Sequence, residues 1–127
     1  HGVGSYLGVH AGPQSISPLS HNVPLKPGMI LSNEPGYYKA GEYGIRIENL
    51  VIVSISEFEE EERPMLTFET ITLAPIDKRL VNAHMMSAAE ITWFNIYHAK
   101  VREIIAPLLS GKEKAWLLEA TESITTL

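Results

Sequence analysis

The stretch Gly44–Ser56, Gly-Ile-Arg-Ile-Glu-Asn-Leu-Val-Ile-Val-Ser-Ile-Ser, does most to limit what this chain can become. β-Branched side chains are stiff at χ1 and pack well on a pleated surface. A run this dense in Ile and Val predicts one long strand, or two joined by a bulge. The residues before it are punctuated by turns: His1-Gly-Val-Gly4, Gly12-Pro13, Asn22-Val-Pro24 and Lys26-Pro-Gly28. There Pro presets φ and Gly opens the left-handed region. Met29–Glu34 is a short apolar run after such a turn, and a strand is predicted to end on Glu34, stopped by Pro35-Gly36. Leu66–Leu73 alternates in the manner of a third strand and stops near Pro75, after an acidic, solvated loop at Glu57–Arg63.

Beyond Pro75 the period changes. Ser87-Ala-Ala-Glu90 is a capping box, with a hydroxyl for orphan N–H groups and a Glu three residues on. Ile91, Phe94, Ile96, Val101, Ile104, Ile105 and Leu108 follow at helical spacing and predict a helix over about 88–109, with Pro107 near its end. Lys112–Glu122 reads as a second helix, with Ala115, Trp116, Leu118 and Ala120 as its apolar side. Strands first and helices after define an α+β chain. The expected division is 1–76 for the strand-bearing part and 77–127 for a helical extension.

Composition removes whole classes of function. The chain of 127 residues has no Cys, which rules out thiolate zinc sites, iron–sulfur clusters, disulfides and cysteine nucleophiles. A net charge of -5 argues against binding a phosphate backbone. No apolar run approaches the roughly 18 residues of a membrane span. All but one of the 15 acidic residues are Glu, the exception being Asp77.

Three features could carry chemistry: His1 with His10, Glu34 in Asn-Glu-Pro-Gly-Tyr-Tyr, and Glu48 in Gly-Ile-Arg-Ile-Glu-Asn. In a strand, Arg46 and Glu48 share one face while Ile45 and Ile47 share the other. A covered carboxylate there needs a partner or a metal, and Arg46 is the natural residue to hold it. The plainer alternative is an Arg–Glu pair on a solvated face. Glu34 could equally be a surface carboxylate beside a turn, and a loop His is usually solvated. One His and two Glu form a hard N/O donor set that suits Mn²⁺, Co²⁺ or Zn²⁺. His21, His84 and His98 read as turn, connector and packing or surface residues. Trp93, Phe94 and Trp116 read as core or interface anchors.

Taken in order, four stretches resemble the aminopeptidase P family of pita-bread metallopeptidases. They are His1-Gly-Val-Gly with Val9-His10-Ala-Gly-Pro13, Pro27-Gly-Met-Ile-Leu-Ser-Asn-Glu-Pro-Gly-Tyr-Tyr38, Tyr43-Gly-Ile-Arg-Ile-Glu-Asn49, and the tail Phe68–Asp77 with Ile91-Thr-Trp-Phe-Asn-Ile-Tyr-His98. The resemblance covers essentially the whole chain. It implies the C-terminal part of a pita-bread fold followed by a two-helix extension. By it, His1, Glu34 and Glu48 match metal ligands, with Glu48 bridging two ions. His10 matches a histidine that contacts substrate and stabilises developing charge, and Arg46 a residue that holds the ligands. It further implies two divalent ions, Mn²⁺ first and Zn²⁺ or Co²⁺ otherwise. The implied reaction is removal of the residue before proline from Xaa-Pro peptides, in a cytoplasmic homodimer.

The family's site also uses two aspartates and a further histidine upstream of the His-Gly-Val-Gly motif, and Asp77 cannot stand in for them. The expectation is therefore the C-terminal piece of a larger enzyme, inactive by itself. A prolidase or methionine aminopeptidase of the same fold is one alternative. A non-catalytic dimerisation module built on the helical tail is another.

Overall fold

The structure, a computed structural model, describes residues 1–6, 8, 12–19, 22–57 and 64–126. The chain divides into two compact units, His1–Thr72 and Leu73–Leu127. Antiparallel strands make up the first and helices the second, so the class is α+β. Among the described residues no helix is long and apolar enough to cross a membrane.

The first unit holds β1 (Gly2–Val3), β2 (Ile30–Asn33), β3 (Gly36–Lys39), β4 (Tyr43–Arg46), β5 (Asn49–Ile55) and β6 (Leu66–Thr70). A four-stranded sheet runs β1-β2-β5-β6, and β3 and β4 form a separate two-stranded hairpin. All pairings are antiparallel. The expected long strand over 44–56 is thus two strands in two sheets, yet no bulge joins them. Ile30 pairs with Ile52 and Asn33 with Asn49; Gly36 then pairs with Arg46 and Lys39 with Tyr43. The same register runs through both sheets, so β2–β3 and β4–β5 are two arms of one long hairpin with a gap in its ladder. The gap falls at Pro35, which has no N–H to donate. Across it the Ile47 N–H donates to the Pro35 carbonyl at 3.2 Å.

The core of this unit is Leu31, Val51 and Val53, with Leu25 and Met29 packed against it. These are the inward positions of β2 and β5, as period-2 alternation requires. β6 stops at Thr70 rather than Leu73. Pairing continues two residues further, first through the Ile71 N–H on the Leu50 carbonyl at 2.9 Å. The Leu50 N–H then donates to the Thr72 hydroxyl at 2.6 Å, a side-chain bond that ends the ladder.

The second unit begins with the segment 73–77 and two single 3₁₀ turns at Lys78–Leu80 and Ala83–Met85, and continues as α1 (Ala88–Ile105) and α2 (Gly111–Ala120). Asp77 caps the first turn, and its carboxyl is held down to about 2 by Arg79. The capping box is present as read from the sequence, with Ser87 and Glu90 each bonded to the other's backbone N–H. Those bonds hold the Glu90 carboxyl below its usual range. α1 is shorter than the apolar pattern predicts. Pro107 lacks the N–H needed for a helical bond and its ring clashes one turn back, so the chain tightens to a 3₁₀ turn at Ala106–Leu108.

α2 presents a different face from the expected one. Leu117 is buried, whereas Trp116 is 60 % exposed and Leu118 is also exposed. The same reversal separates Phe94, which is buried, from its neighbour Trp93, which is stacked on Tyr97 but half exposed. The unit's core is Tyr97, Val101, Ala106 and Leu117, with Leu73, Ile76, Ile105 and Leu109 around it. Arg102 closes the far end of α2 by donating to the Thr121 hydroxyl at 3.0 Å and the Leu118 carbonyl at 3.2 Å. The Leu118 carbonyl is one of the groups at this end that the helix cannot satisfy itself.

Leu117→Ala should lower the denaturant-measured stability of the helical unit by about 2–5 kcal/mol, because a fully packed Leu leaves a cavity behind. Leu108→Ala, on a side chain that is 76 % exposed, should change it little.

Candidate metal centre

The gap in the long hairpin is where the candidate ligands lie. Glu34 follows the last paired residue of β2 and Glu48 precedes the first of β5, so the shared register sets them opposite each other at the break. β1 supplies the third group. Its pairing with β2 is extended by the Ser32 N–H on the His1 carbonyl at 2.9 Å, and the His1 main-chain nitrogen donates to the Ser32 hydroxyl at 3.1 Å. The first residue is thus tied into the sheet beside Glu34.

The three side chains converge: ligand atoms of His1, Glu34 and Glu48 all lie within 4.8 Å of one another, half-buried to exposed. His1 Nε2 is 3.2 Å from Glu34 Oε1. His1 Nδ1 is 2.9 Å from the Gly2 carbonyl oxygen, which can only accept, so Nδ1 carries a proton. In the neutral ring the lone pair on Nε2 then faces a carboxylate oxygen. Two acceptors that close require a cation, either a second ring proton or a metal ion. A ring whose other N–H is spent on a backbone carbonyl is the usual arrangement of a metal-bound histidine. With two carboxylates beside it, the donor set fits a divalent ion.

The carboxylates are oriented by neighbours. The nearly inaccessible Ser32 hydroxyl donates to Glu34 Oε1 at 2.7 Å. Arg46 Nε lies 3.2 Å from Glu48 Oε2, and Arg46 Nη1 lies 4.0 Å from Glu34 Oε2, so one guanidinium holds both acids. A hydrogen bond with Tyr38 is the main reason the Arg46 guanidinium holds its proton more firmly than usual, with Glu48 next among the charged carboxylates. Tyr38 lies across two glycines. A Cβ on Gly36 would fall 2.8 Å from its ring, and one on Gly44 would fall 2.7 Å away. In this register Tyr38 pairs with Gly44 and Arg46 with Gly36, so each large side chain stands opposite an empty position.

The structure therefore brings His1, Glu34, Glu48 and Arg46 together, while His10 lies outside the described residues. Residue-by-residue reading did not find Ser32 and Tyr38. The signal for both was alternation, since Ser32, Glu34, Gly36 and Tyr38 occupy every second position and so share a face. His98 is fully buried in α1, and His84 sits in a 3₁₀ turn.

Comparison with known proteins places this chain in a family. Residues 1–54 match the model of metallopeptidase family M24, and residues 64–124 match that of the C-terminal region of peptidase M24. The chain belongs to the M24 metallopeptidases. Within that family it falls in the aminopeptidase P group. It is 43% identical over 129 residues to aminopeptidase P1 of Arabidopsis thaliana, covering 98% of this chain and 20% of the relative. It is 44% identical over 130 residues to a probable Xaa-Pro aminopeptidase P of Arthroderma otae, covering 98% and 21%. Among solved structures it matches the X-prolyl aminopeptidase of Caenorhabditis elegans, described as a cytosolic enzyme with a di-nuclear active site. That match has a TM-score of 0.85 and 37% identity, covering 98% of this chain and 21% of that one. The chain spans about a fifth of the length of the curated relatives it matches.

Titration of the chain with Mn²⁺ should show saturable binding that both Glu34→Ala and Glu48→Ala remove, read by isothermal calorimetry. Binding that survives both substitutions would show that the ion sits elsewhere.

Proposed function

We propose that this chain carries the histidine and two glutamate ligands of a dinuclear-metal Xaa-Pro aminopeptidase, which hydrolyses the N-terminal residue from peptides whose second residue is proline. The observation that carries the reading is the triad itself: His1 Nε2, with its tautomer set by Gly2, turned toward two carboxylates that share one guanidinium. In this reading His1, Glu34 and Glu48 would hold the metal. Mn²⁺ is the first candidate for a hard N/O set, with Zn²⁺ or Co²⁺ as substitutes. Divalent ions there would polarise the peptide carbonyl and acidify water.

The chain's own residues hold that centre in shape. Ser32 fixes the rotation of the Glu34 carboxylate by donating to one of its oxygens. Arg46 keeps Glu48 from swinging out of the gap and offsets part of the negative charge. Tyr38 in turn holds the guanidinium. His10 is assigned to the substrate, beside the scissile carbonyl. Water is added across the bond before proline, giving a free amino acid and a peptide that begins with proline.

Three protein ligands are too few for two ions, and Asp77, the only Asp of the chain, belongs to the helical unit. The donors that complete the pair are therefore assigned to the length that the relatives have beyond the matched stretch, and the 127-residue chain alone is inactive. The C. elegans neighbour is called cytosolic, which supports a cytoplasmic setting here. The half-exposed Trp93 and Trp116 on the helical unit support a homodimer.

In the whole protein, Glu48→Ala should abolish release of the first residue from Xaa-Pro tripeptides. Chelation should do the same to the parent, and Mn²⁺ should restore it. Retained hydrolysis in the Glu48→Ala protein would refute the assignment. Preference for Met-Ala peptides would point to a methionine aminopeptidase, and activity confined to Xaa-Pro dipeptides to a prolidase. Sedimentation of wild type and Trp116→Glu should show a dimer weakened by the charge; equal masses at every concentration would remove Trp116 from the interface.

A further inference from the structure

His98 is fully buried in the middle of α1. Its Nε2 lies 3.0 Å from the backbone nitrogen of Ile76. An amide nitrogen can only donate, so Nε2 is the bare acceptor, and the one ring proton of the neutral imidazole is on Nδ1. That Nδ1 is buried with no hydrogen-bond partner among the described residues. Phe94 packs on the ring at a centroid distance of 4.3 Å, and Tyr97 lies at 5.8 Å. The Tyr97 hydroxyl donates to the Ala74 carbonyl at 2.6 Å. Adjacent side chains of α1 thus hold one carbonyl and one N–H of an extended segment that belongs to no strand. Ile76 in that segment packs on the core of the unit.

We propose that His98 is a proton-sensitive latch: as neutral imidazole it holds Ala74–Ile76 on α1, and its protonation releases that segment. A proton on Nε2 would set N–H against N–H at the present 3.0 Å. It would also bury a positive charge with no acceptor for it. The charged groups acting on the ring are both cations, Lys78 from the first 3₁₀ turn and Arg102 from α1. The nearest carboxylate in sequence, Asp77, is engaged by Nε and Nη2 of Arg79. Burial first, and then Lys78 and Arg102, push the ring below its ordinary value of 6.5. The closed form therefore binds a proton less readily than the open form, in which the ring meets water. Closure is fully favoured above 6.5 and weakens about tenfold per pH unit below it, until the lowered value of the closed state is reached. None of this involves the metal-binding residues.

The test is hydrogen exchange of the Ile76 amide between about pH 7.5 and about pH 5.5, with rates corrected for intrinsic exchange. Protection at Ile76 should fall about tenfold per unit below the ordinary histidine value. The Val53 amide, bonded to the Met29 carbonyl in the other unit, should keep its protection. His98→Gln retains an oxygen acceptor that does not titrate, and should give a flat Ile76 profile. A flat profile in wild type, or the same fall in His98→Gln, overturns the proposal. If the variant does not fold, the ¹⁵N resonances of the wild-type ring decide. A ring that stays neutral while Ile76 loses protection supports the latch; a ring that protonates near its ordinary value with Ile76 still protected overturns it.

Discussion

The missing N–H of Pro35 is the constraint on which the meeting of Glu34 and Glu48 depends. An antiparallel ladder of the length set by Ile30–Lys39 and Tyr43–Ile52 would otherwise bury its backbone in continuous pairing. At Pro35 the ladder must lapse, and the two sheets part there while the register carries on unchanged. That combination is what places Glu34 opposite Glu48. A bulge would have shifted one strand by a residue and turned its carboxylate to the other face.

The gap collects like charges, and the structure shows how that is tolerated. Two carboxylates at close quarters repel unless a cation lies between or beside them. Arg46 is one such cation and is shared by both. His1 is the other contact, and the proton committed to Gly2 leaves it with a lone pair facing the acids. A cation on that side, either a second ring proton or a divalent ion, would relieve the contact.

The helical unit follows a different logic. Its segments are joined by side chains reaching backbone groups that no helix or strand satisfies. Arg102 does this at the end of α2, and Tyr97 and His98 do it along 74–76. Asn95 does it at the tail, where it exchanges two hydrogen bonds with Ile124 at 3.0 and 2.9 Å. Such bonds are specific, but each rests on one side chain, and one of those side chains can change its charge.

Much of this was legible in the residues. Ile and Val density marked the strands, Ser87 and Glu90 marked the start of α1, and the order of motifs around His1, Glu34 and Glu48 marked the family. These are local signals, set by χ1 stiffness, by orphan N–H groups and by residue identity, and they act before any long-range contact forms. What the local pattern could not decide was which side of an element meets a neighbour. Trp116 and Leu117 are adjacent and both apolar, and only the packing of α2 on Val101 and Tyr97 buries Leu117 and leaves the tryptophan out. The long strand was likewise predicted whole, because its own residues contain no break; the break is imposed by Pro35 on the strand opposite. The triad, too, is a fact of tertiary structure, since His1 and Glu48 are brought together by two successive strand pairings and by nothing in the sequence between them.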